Sequence, residues 1–151
     1  MINADNLIAV VSIAVGLLIA LIQFWFATRH ERFTNTLLII DRLEDKHMLS
    51  IRHHVDDIME EAKRNAYDFD KLSDEQRADL SSVAKLFGLV GVLARRRSID
   101  TSVIYTGWAR NITATHERMK EYFKWRASLP GGSALNADFA WLARRVRRYC
   151  H

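Results

Sequence analysis

The sequence predicts an all-α protein in which a single N-terminal transmembrane helix precedes a three- to four-helix cytoplasmic bundle. First, an uncharged apolar stretch of 22 residues runs from Leu7 to Thr28. Second, the chain contains one Pro and six Gly, and its other apolar residues recur mostly every three or four positions, which is the helical period. Third, no stretch alternates between apolar and polar residues for long enough to indicate a strand.

The apolar stretch is long enough to span a bilayer. Twenty-two helical residues extend about 33 Å, and the hydrocarbon core is about 30 Å thick. The stretch is apolar on every side, and 151 residues are too few to surround such a helix with protein. A signal peptide is the main alternative, but it needs a basic start, a shorter apolar region and a small-residue cleavage site. This stretch instead ends in Phe24-Trp25-Phe26, which is typical of an interfacial aromatic belt.

The charges that flank the stretch predict its orientation. Asp5 precedes it with no basic residue, whereas Arg29, His30 and Arg32 follow it, and positive flanks tend to face the cytoplasm. The lone Cys150 agrees, because a secreted body of this size would more often carry paired cysteines. In a bacterial inner membrane we therefore expect a short extracytoplasmic tail at residues 1–6, the anchor at 7–28 and a helical cytoplasmic domain at 29–151.

The anchor carries a stripe of small and polar residues. Its members recur at helical spacing and are Ser12, Gly16, Ala20 and Gln23. Small residues at this spacing allow two helices to approach closely in lipid, and a Gln can form a hydrogen bond across the pair. The stripe predicts self-association or pairing with another membrane helix, although small residues are also common in membrane helices generally.

The first part of the predicted cytoplasmic domain favours one long amphipathic helix or two. Between Gly16 and Gly88 there is neither Gly nor Pro, so the anchor helix could continue past Arg32. Its apolar stripe has one five-residue step across residues 44–46, which argues against a coiled coil. The positions of the stripe are Phe33, Leu37, Ile40, Leu43, Met48, Ile51, Val55, Ile58, Ala62 and Ala66.

Capping residues predict the later helices. Ser73 and Gln76 form a capping box for a helix from about Asp74 to Arg96, inside which Gly88 and Gly91 would allow close approach of another helix. The next caps and breaks are Asp100 for a helix over 101–126, the loop at 128–133, and Asn136 for a short final helix.

A family resemblance supports the same architecture. The segments "FGLVGVLARRRSID" and "FAWLARR", with a Trp-bearing helix between them, resemble an uncharacterised bacterial family with one N-terminal membrane anchor and a small helical cytoplasmic domain. The likeness covers roughly residues 80–145 and the general plan of the anchor. The family is a domain of unknown function, so the resemblance implies an architecture and no catalytic residues.

One cluster could bind a metal. His53, His54 and Asp57 lie within five residues of a predicted helix, and imidazole and carboxylate at this spacing can share a divalent ion. Such a site would still need a ligand from another helix, for example His47 or His116. The alternative is a solvated charged face with His–Asp ion pairs. We expect no cofactor, and a membrane-tethered metal-dependent hydrolase remains the enzymatic alternative.

The charge distribution says more about function than the candidate metal cluster does. Residues 29–79 hold 9 Lys or Arg and 13 Asp or Glu, a net charge of −4, whereas residues 80–151 hold 13 and 4, a net charge of +9. The basic half could pack beside the acidic half of the same chain, bind an acidic protein or another copy, or attract anionic lipid or nucleic acid. The candidate binding arginines are Arg95, Arg96, Arg97, Arg144, Arg145, Arg147 and Arg148.

The features together predict a non-enzymatic role. We expect a membrane-anchored subunit, tether or adaptor that holds a partner at the inner membrane. Its expected partners are membrane lipids and a membrane or acidic protein, with homo-oligomers possible through the anchor. Nucleic acid is the less favoured partner.

Overall fold

The computed structural model describes the backbone at residues 4–130 and 134–150, and the side chains at 12–130 and 136–150. Part of the predicted tail (1–3) and the second half of the predicted loop (131–133) lie outside these ranges. Within them the protein is all-α, as predicted, with six α-helices and no strand. The helices are α1 (Ala4–Glu44), α2 (Lys46–Arg64), α3 (Asp74–Arg95), α4 (Thr101–Arg118), α5 (Lys120–Ser128) and α6 (Ala134–Tyr149), with a 3₁₀ helix (Phe69–Lys71) between α2 and α3.

The first helix is continuous for 41 residues and carries the apolar stretch directly into the helical body. It ends at Glu44 although no Gly or Pro is present. Asp45 leaves the helical conformation, and its carboxylate accepts a hydrogen bond from the Met48 N–H at 3.0 Å, so that it caps α2. An Asp side chain competes well for backbone donors at helix starts. The break therefore falls at the five-residue step in the apolar pattern.

The face that α1 turns inward differs from the predicted one. Leu43 is buried as predicted, but Phe33 and Leu37, which were also expected to face the core, are 60% and 50% exposed. Thr36 and Ile39 are buried in their place. The buried Thr36 is fully satisfied, because its hydroxyl donates to the Arg32 carbonyl and accepts from the Asp100 N–H, both at 2.7 Å. Apolar spacing alone misplaced this face because a satisfied hydroxyl can be buried at little cost.

The predicted caps of α3 and α4 are confirmed. Ser73 and Gln76 form the capping box of α3, and the Asp100 carboxylate accepts from the Ser102 N–H at 3.0 Å at the start of α4. The prediction for Asn136 was wrong, because α6 begins at Ala134 and Asn136 lies within its first turn. At the end of α2, Ala66 leaves the helix in a left-handed turn with φ 54°, so it does not continue the apolar stripe.

The single helix predicted over 101–126 is divided in two. Met119 lies in a turn between α4 and α5, and its side chain is fully buried. After this turn, α5 brings Tyr122 and Trp125 against Phe69 of the 3₁₀ helix, with ring centroids 5.8 and 5.6 Å apart. The Trp125 Nε1 also donates to the Asp70 carboxylate at 3.2 Å. Packing of this aromatic cluster explains the turn at Met119, and the apolar periodicity of the sequence does not reveal it.

The packing of α6 on α3 and α4 forms the centre of the bundle. Phe87 of α3 and Phe139 of α6 are both fully buried and stack with centroids 4.9 Å apart. Beside them, a methyl group built on Gly91 would lie 2.3 Å from the Asp138 carbonyl oxygen. The close approach predicted for Gly91 is therefore confirmed, and α6 is the helix that approaches it.

His116 is enclosed where α4, α5 and α6 meet. Its ring lies 5.7 Å from the Phe123 ring and 5.1 Å from the Phe139 ring. Both ring nitrogens are shielded from solvent and have no hydrogen-bond partner among the described residues. Burial lowers the pKa of this imidazole, the nearby Arg147 cation lowers it further, and Glu117 opposes the shift. His116 is therefore a neutral packing residue.

We expect Gly91→Ala to lower the free energy of unfolding by about 1–3 kcal/mol or more, because rigid backbone faces the added methyl group. The matched control is Gly107→Ala on α4, where no atom other than the adjacent residues and the helix's own backbone lies within 4 Å of the added methyl group. That change should raise the free energy of unfolding by about 1 kcal/mol, since Ala is the better helix former. Chemical denaturation of the full-length protein in detergent measures both, and equal effects would contradict the close approach.

We expect acidification below about pH 6.5 to destabilise the protein partly through His116. The folded state lowers the pKa of this group, so the unfolded state binds the proton first and stability falls as the pH falls. His116→Leu should therefore show a smaller loss of stability between pH 7.5 and 5.5 than the native protein does. The slope of stability against pH is the readout, and identical slopes would contradict a buried neutral imidazole.

Candidate functional site

A cleft of about 1050 Å³ opens where α1 enters the helical body. One wall is α1 from Leu21 to Phe33, and the opposite wall combines the end of α3, the start of α4 and one face of α6. Five arginines line it, and we refer to this site as the arginine cleft. They are Arg29, Arg32, Arg95, Arg97 and Arg145.

The α1 wall changes from apolar to cationic along its length. Leu21, Phe24 and Trp25 line it before the uncharged stretch ends at Thr28. Arg29 follows, and its guanidinium carbon lies over the Trp25 ring at 5.2 Å from the centroid. Stacking on an aromatic face orients a guanidinium while leaving its N–H edge free to bind an anion.

The opposite wall is held by the contact between α3 and α6. Arg95 at the end of α3 forms an ion pair with Asp138 at 3.1 Å and lies over the Trp141 ring at 5.1 Å from the centroid. One turn after Trp141, Arg145 lies beside Tyr105 of α4. Burial raises the pKa of the Tyr105 hydroxyl, and the Arg145 cation opposes part of that shift.

Arg97 occupies an unusual backbone position. It follows α3 with φ 57°, in the left-handed region where a Schellman turn normally places Gly. The turn is complete, because the Ser98 N–H donates to the Leu93 carbonyl at 2.9 Å and the Arg97 N–H donates to the Ala94 carbonyl at 3.1 Å. A side chain costs about 1–2 kcal/mol in this conformation. The protein therefore carries backbone strain at a residue that lines the arginine cleft.

The charge of the cleft is largely uncompensated. Among the described residues, only Arg95 of the five arginines forms an ion pair. One carboxylate, Asp100, lines the cleft. The hydrogen bond from Ser102 is the main cause that lowers the pKa of Asp100, and the Arg29 cation also contributes. Four arginines thus face one carboxylate, and this arrangement favours an anion.

The seven arginines predicted from the sequence are not equivalent. Arg95, Arg97 and Arg145 line the cleft, whereas Arg147 forms an ion pair with Glu117 at 2.8 Å. The other three are exposed outside the cleft and have no ion pair among the described residues; they are Arg96, Arg144 and Arg148.

The sequence analysis missed Arg29 and Arg32 as site residues. It used them only to orient the anchor. Their position directly after the apolar stretch was visible, but the α6 side chains opposite them were not.

The acidic and basic halves of the chain make little direct electrostatic contact. Among the described residues, the ion pair between Arg118 and Asp56 is the only one that joins them. Most of the excess positive charge of residues 80–151 therefore remains at the surface.

The side chains of the candidate metal cluster do not come together at one site. The His54 Nδ1–H donates a hydrogen bond to the Asp79 carboxylate of α3 at 2.6 Å, while His53 and Asp57 are exposed. His116 lies among aromatic rings between α4, α5 and α6. Among the side chains described, at 12–130 and 136–150, no three His, Cys, Asp or Glu come together in a metal-binding arrangement.

The apolar part of α1 is exposed rather than packed. Over the described side chains, it is the one helix that is long and apolar enough to cross a membrane, and none of its apolar window is buried in the protein. Its predicted pairing residues share one exposed face: Ser12, Gly16, Ala20 and Gln23. No atom lies within 4 Å of a methyl group built on Gly16. Pairing through this face stays a prediction.

The comparisons with known proteins identify a family but no activity. No curated protein and no solved structure matches the chain. A family described as a domain of unknown function, DUF4760, matches residues 10–146. The match includes most of the apolar stretch and all of α2 to α5, and so extends beyond the segments that carried the resemblance. The chain therefore belongs to the DUF4760 family.

Proposed function

We propose that this chain is a single-pass membrane protein without enzymatic activity, which acts as a subunit, tether or adaptor and holds a partner at the inner membrane. The observation that carries the proposal is the continuity of α1. Its first part exposes large apolar side chains such as Leu17, Phe24 and Trp25, which need an apolar environment. Its last part belongs to the core of the helical body.

The attachment of α1 to that body supports a retained anchor over a cleaved signal. Ile39 and Leu43 are buried in the core. The Asn35 amide donates to the Ser98 carbonyl at 3.1 Å, and Thr36 binds the Asp100 N–H. Cleavage next to the aromatic trio would cut through one continuous helix whose remaining part makes these contacts. Arg29 and Arg32 directly after the stretch favour a cytoplasmic body.

Exposed cations outside the cleft support a role in partner binding. Arg144 and Arg148 of α6 are exposed and have no ion pair among the described residues. Exposed charges of this kind steer an acidic partner and set its orientation. Both arginines remain available, because the nearby Glu117 forms its ion pair with Arg147. The acidic protein partner expected from the sequence is therefore proposed to meet this face of α6.

The test is recovery of a stoichiometric partner with the full-length protein in gentle detergent, identified by mass spectrometry. We expect Arg144→Gln together with Arg148→Gln to reduce recovery several-fold at low salt and less at high salt, because screening weakens exposed charges. The control pair, Arg42→Gln with Arg110→Gln, removes the same charge from exposed positions on α1 and α4. Absence of a partner would contradict the adaptor role, and equal losses in the two pairs would contradict docking at this face of α6.

A further inference from the structure

We propose that the arginine cleft binds the phosphate headgroup of one anionic phospholipid, with the acyl chains lying along the apolar part of α1. The inference rests on the proposed membrane anchoring of α1 and adds a defined ligand site to it. Four observations lead to it: the depth of the cleft, its charge, its two-sided chemistry and the strained backbone at Arg97.

The position of the cleft along α1 places it at the level of the lipid headgroups. The uncharged stretch ends at Thr28, and Arg32 lies four residues later, which is about 6 Å along a helix. The polar layer on each side of the hydrocarbon core is about 5–7 Å thick. With the apolar stretch in the core, Arg29 and Arg32 therefore lie where lipid phosphates lie.

The charge of the cleft suits a phosphate. Arg29, Arg32, Arg97 and Arg145 have no carboxylate partner among the described residues. The planar guanidinium binds two phosphate oxygens at once, and the stacking of Arg29 on Trp25 fixes one such group in advance. Asp100 is already engaged by Ser102, whose N–H and hydroxyl donate to it at 3.0 and 2.6 Å.

The apolar wall selects a lipid over other phosphate ligands. Leu21, Phe24 and Trp25 line the same cleft as the arginines, and Phe24 and Trp25 are 73% and 55% exposed. Inorganic phosphate or a nucleic acid would make no contact with this wall. An acyl chain would cover it, and burial of apolar surface adds to the electrostatic attraction.

The backbone conformation at position 97 suits Gly, yet the residue there is Arg. Gly at this position would complete the Schellman turn without strain. The protein instead places a cation there, directed to the same cleft as Arg145 from α6. This makes Arg97 a useful probe, because Arg97→Gly should remove the cation and relax the backbone together.

The experiment is native mass spectrometry of the full-length protein in mild non-ionic detergent, titrated with phosphatidylglycerol or with phosphatidylcholine. We expect the native protein to bind phosphatidylglycerol at least tenfold more tightly. Arg97→Gly and Arg145→Gln should each weaken that binding about fivefold, with no change for phosphatidylcholine. The control pair Arg42→Gln with Arg110→Gln should stay within twofold of the native protein.

Folding is monitored separately, because a loss of binding must not reflect unfolding. We expect the thermal midpoint of Arg97→Gly to equal or exceed that of the native protein, since the backbone strain is relieved. A variant that keeps both its midpoint and its affinity for phosphatidylglycerol would overturn the proposal. Equal losses in the cleft variants and in the control pair would also overturn it, because they would indicate diffuse attraction.

Two further arms identify the ligand and separate this inference from the proposed function. Displacement of the lipid by glycerol phosphate or by a short oligonucleotide at equal concentration would overturn the choice of a lipid. The membranes are also washed with alkaline carbonate before solubilisation. Release of the chain into the wash would contradict the anchor and with it the proposed function. Retention of the chain with equal affinity for the two lipids would overturn the cleft assignment alone.

Discussion

The close approach of α3 and α6 at Gly91 determines much of what surrounds it. Because Gly91 has no side chain, the backbone of α6 at Asp138 lies directly against α3. This contact allows Phe87 and Phe139 to stack in the core and brings the Asp138 carboxylate to Arg95. A larger residue would separate the two helices, and tightly packed interiors do not absorb such a displacement without strain.

The same contact sets the geometry of the arginine cleft. Once Asp138 is fixed against α3, the next turns of α6 place Trp141 and Arg145 beside the end of α3. The second fixed point is on α1, where Asn35 and Thr36 bind the backbone of the segment between α3 and α4. The cleft is the space left between these two attachments. These two attachments therefore set the distance between its cationic wall and the end of the apolar stretch.

Features determined by neighbouring residues were predictable from the sequence. The capping box of Ser73 and the cap by Asp100 involve donors within three residues, so local chemistry decides them. The division at Met119 was not predictable in this way, because it depends on the packing of α5 against Phe69. The inward face of α1 was misjudged because Thr36, a polar residue, is satisfied by Asp100, 64 positions away in the chain.

The candidate site was likewise predictable only in part, because its residues come from distant parts of the chain. The sequence identified three of the five cleft arginines as members of two basic runs, but Arg29 and Arg32 belong to the flank of the anchor. Only the fold brings the two groups together. Like charges gathered in one cleft repel each other, and the left-handed backbone at Arg97 adds strain to that repulsion. The repulsion destabilises the protein in the absence of an anion, and a residue that served only as solvated surface would not need the strained backbone at position 97. The physical reason for their position is therefore best sought in a negatively charged ligand that binds at the end of the apolar stretch.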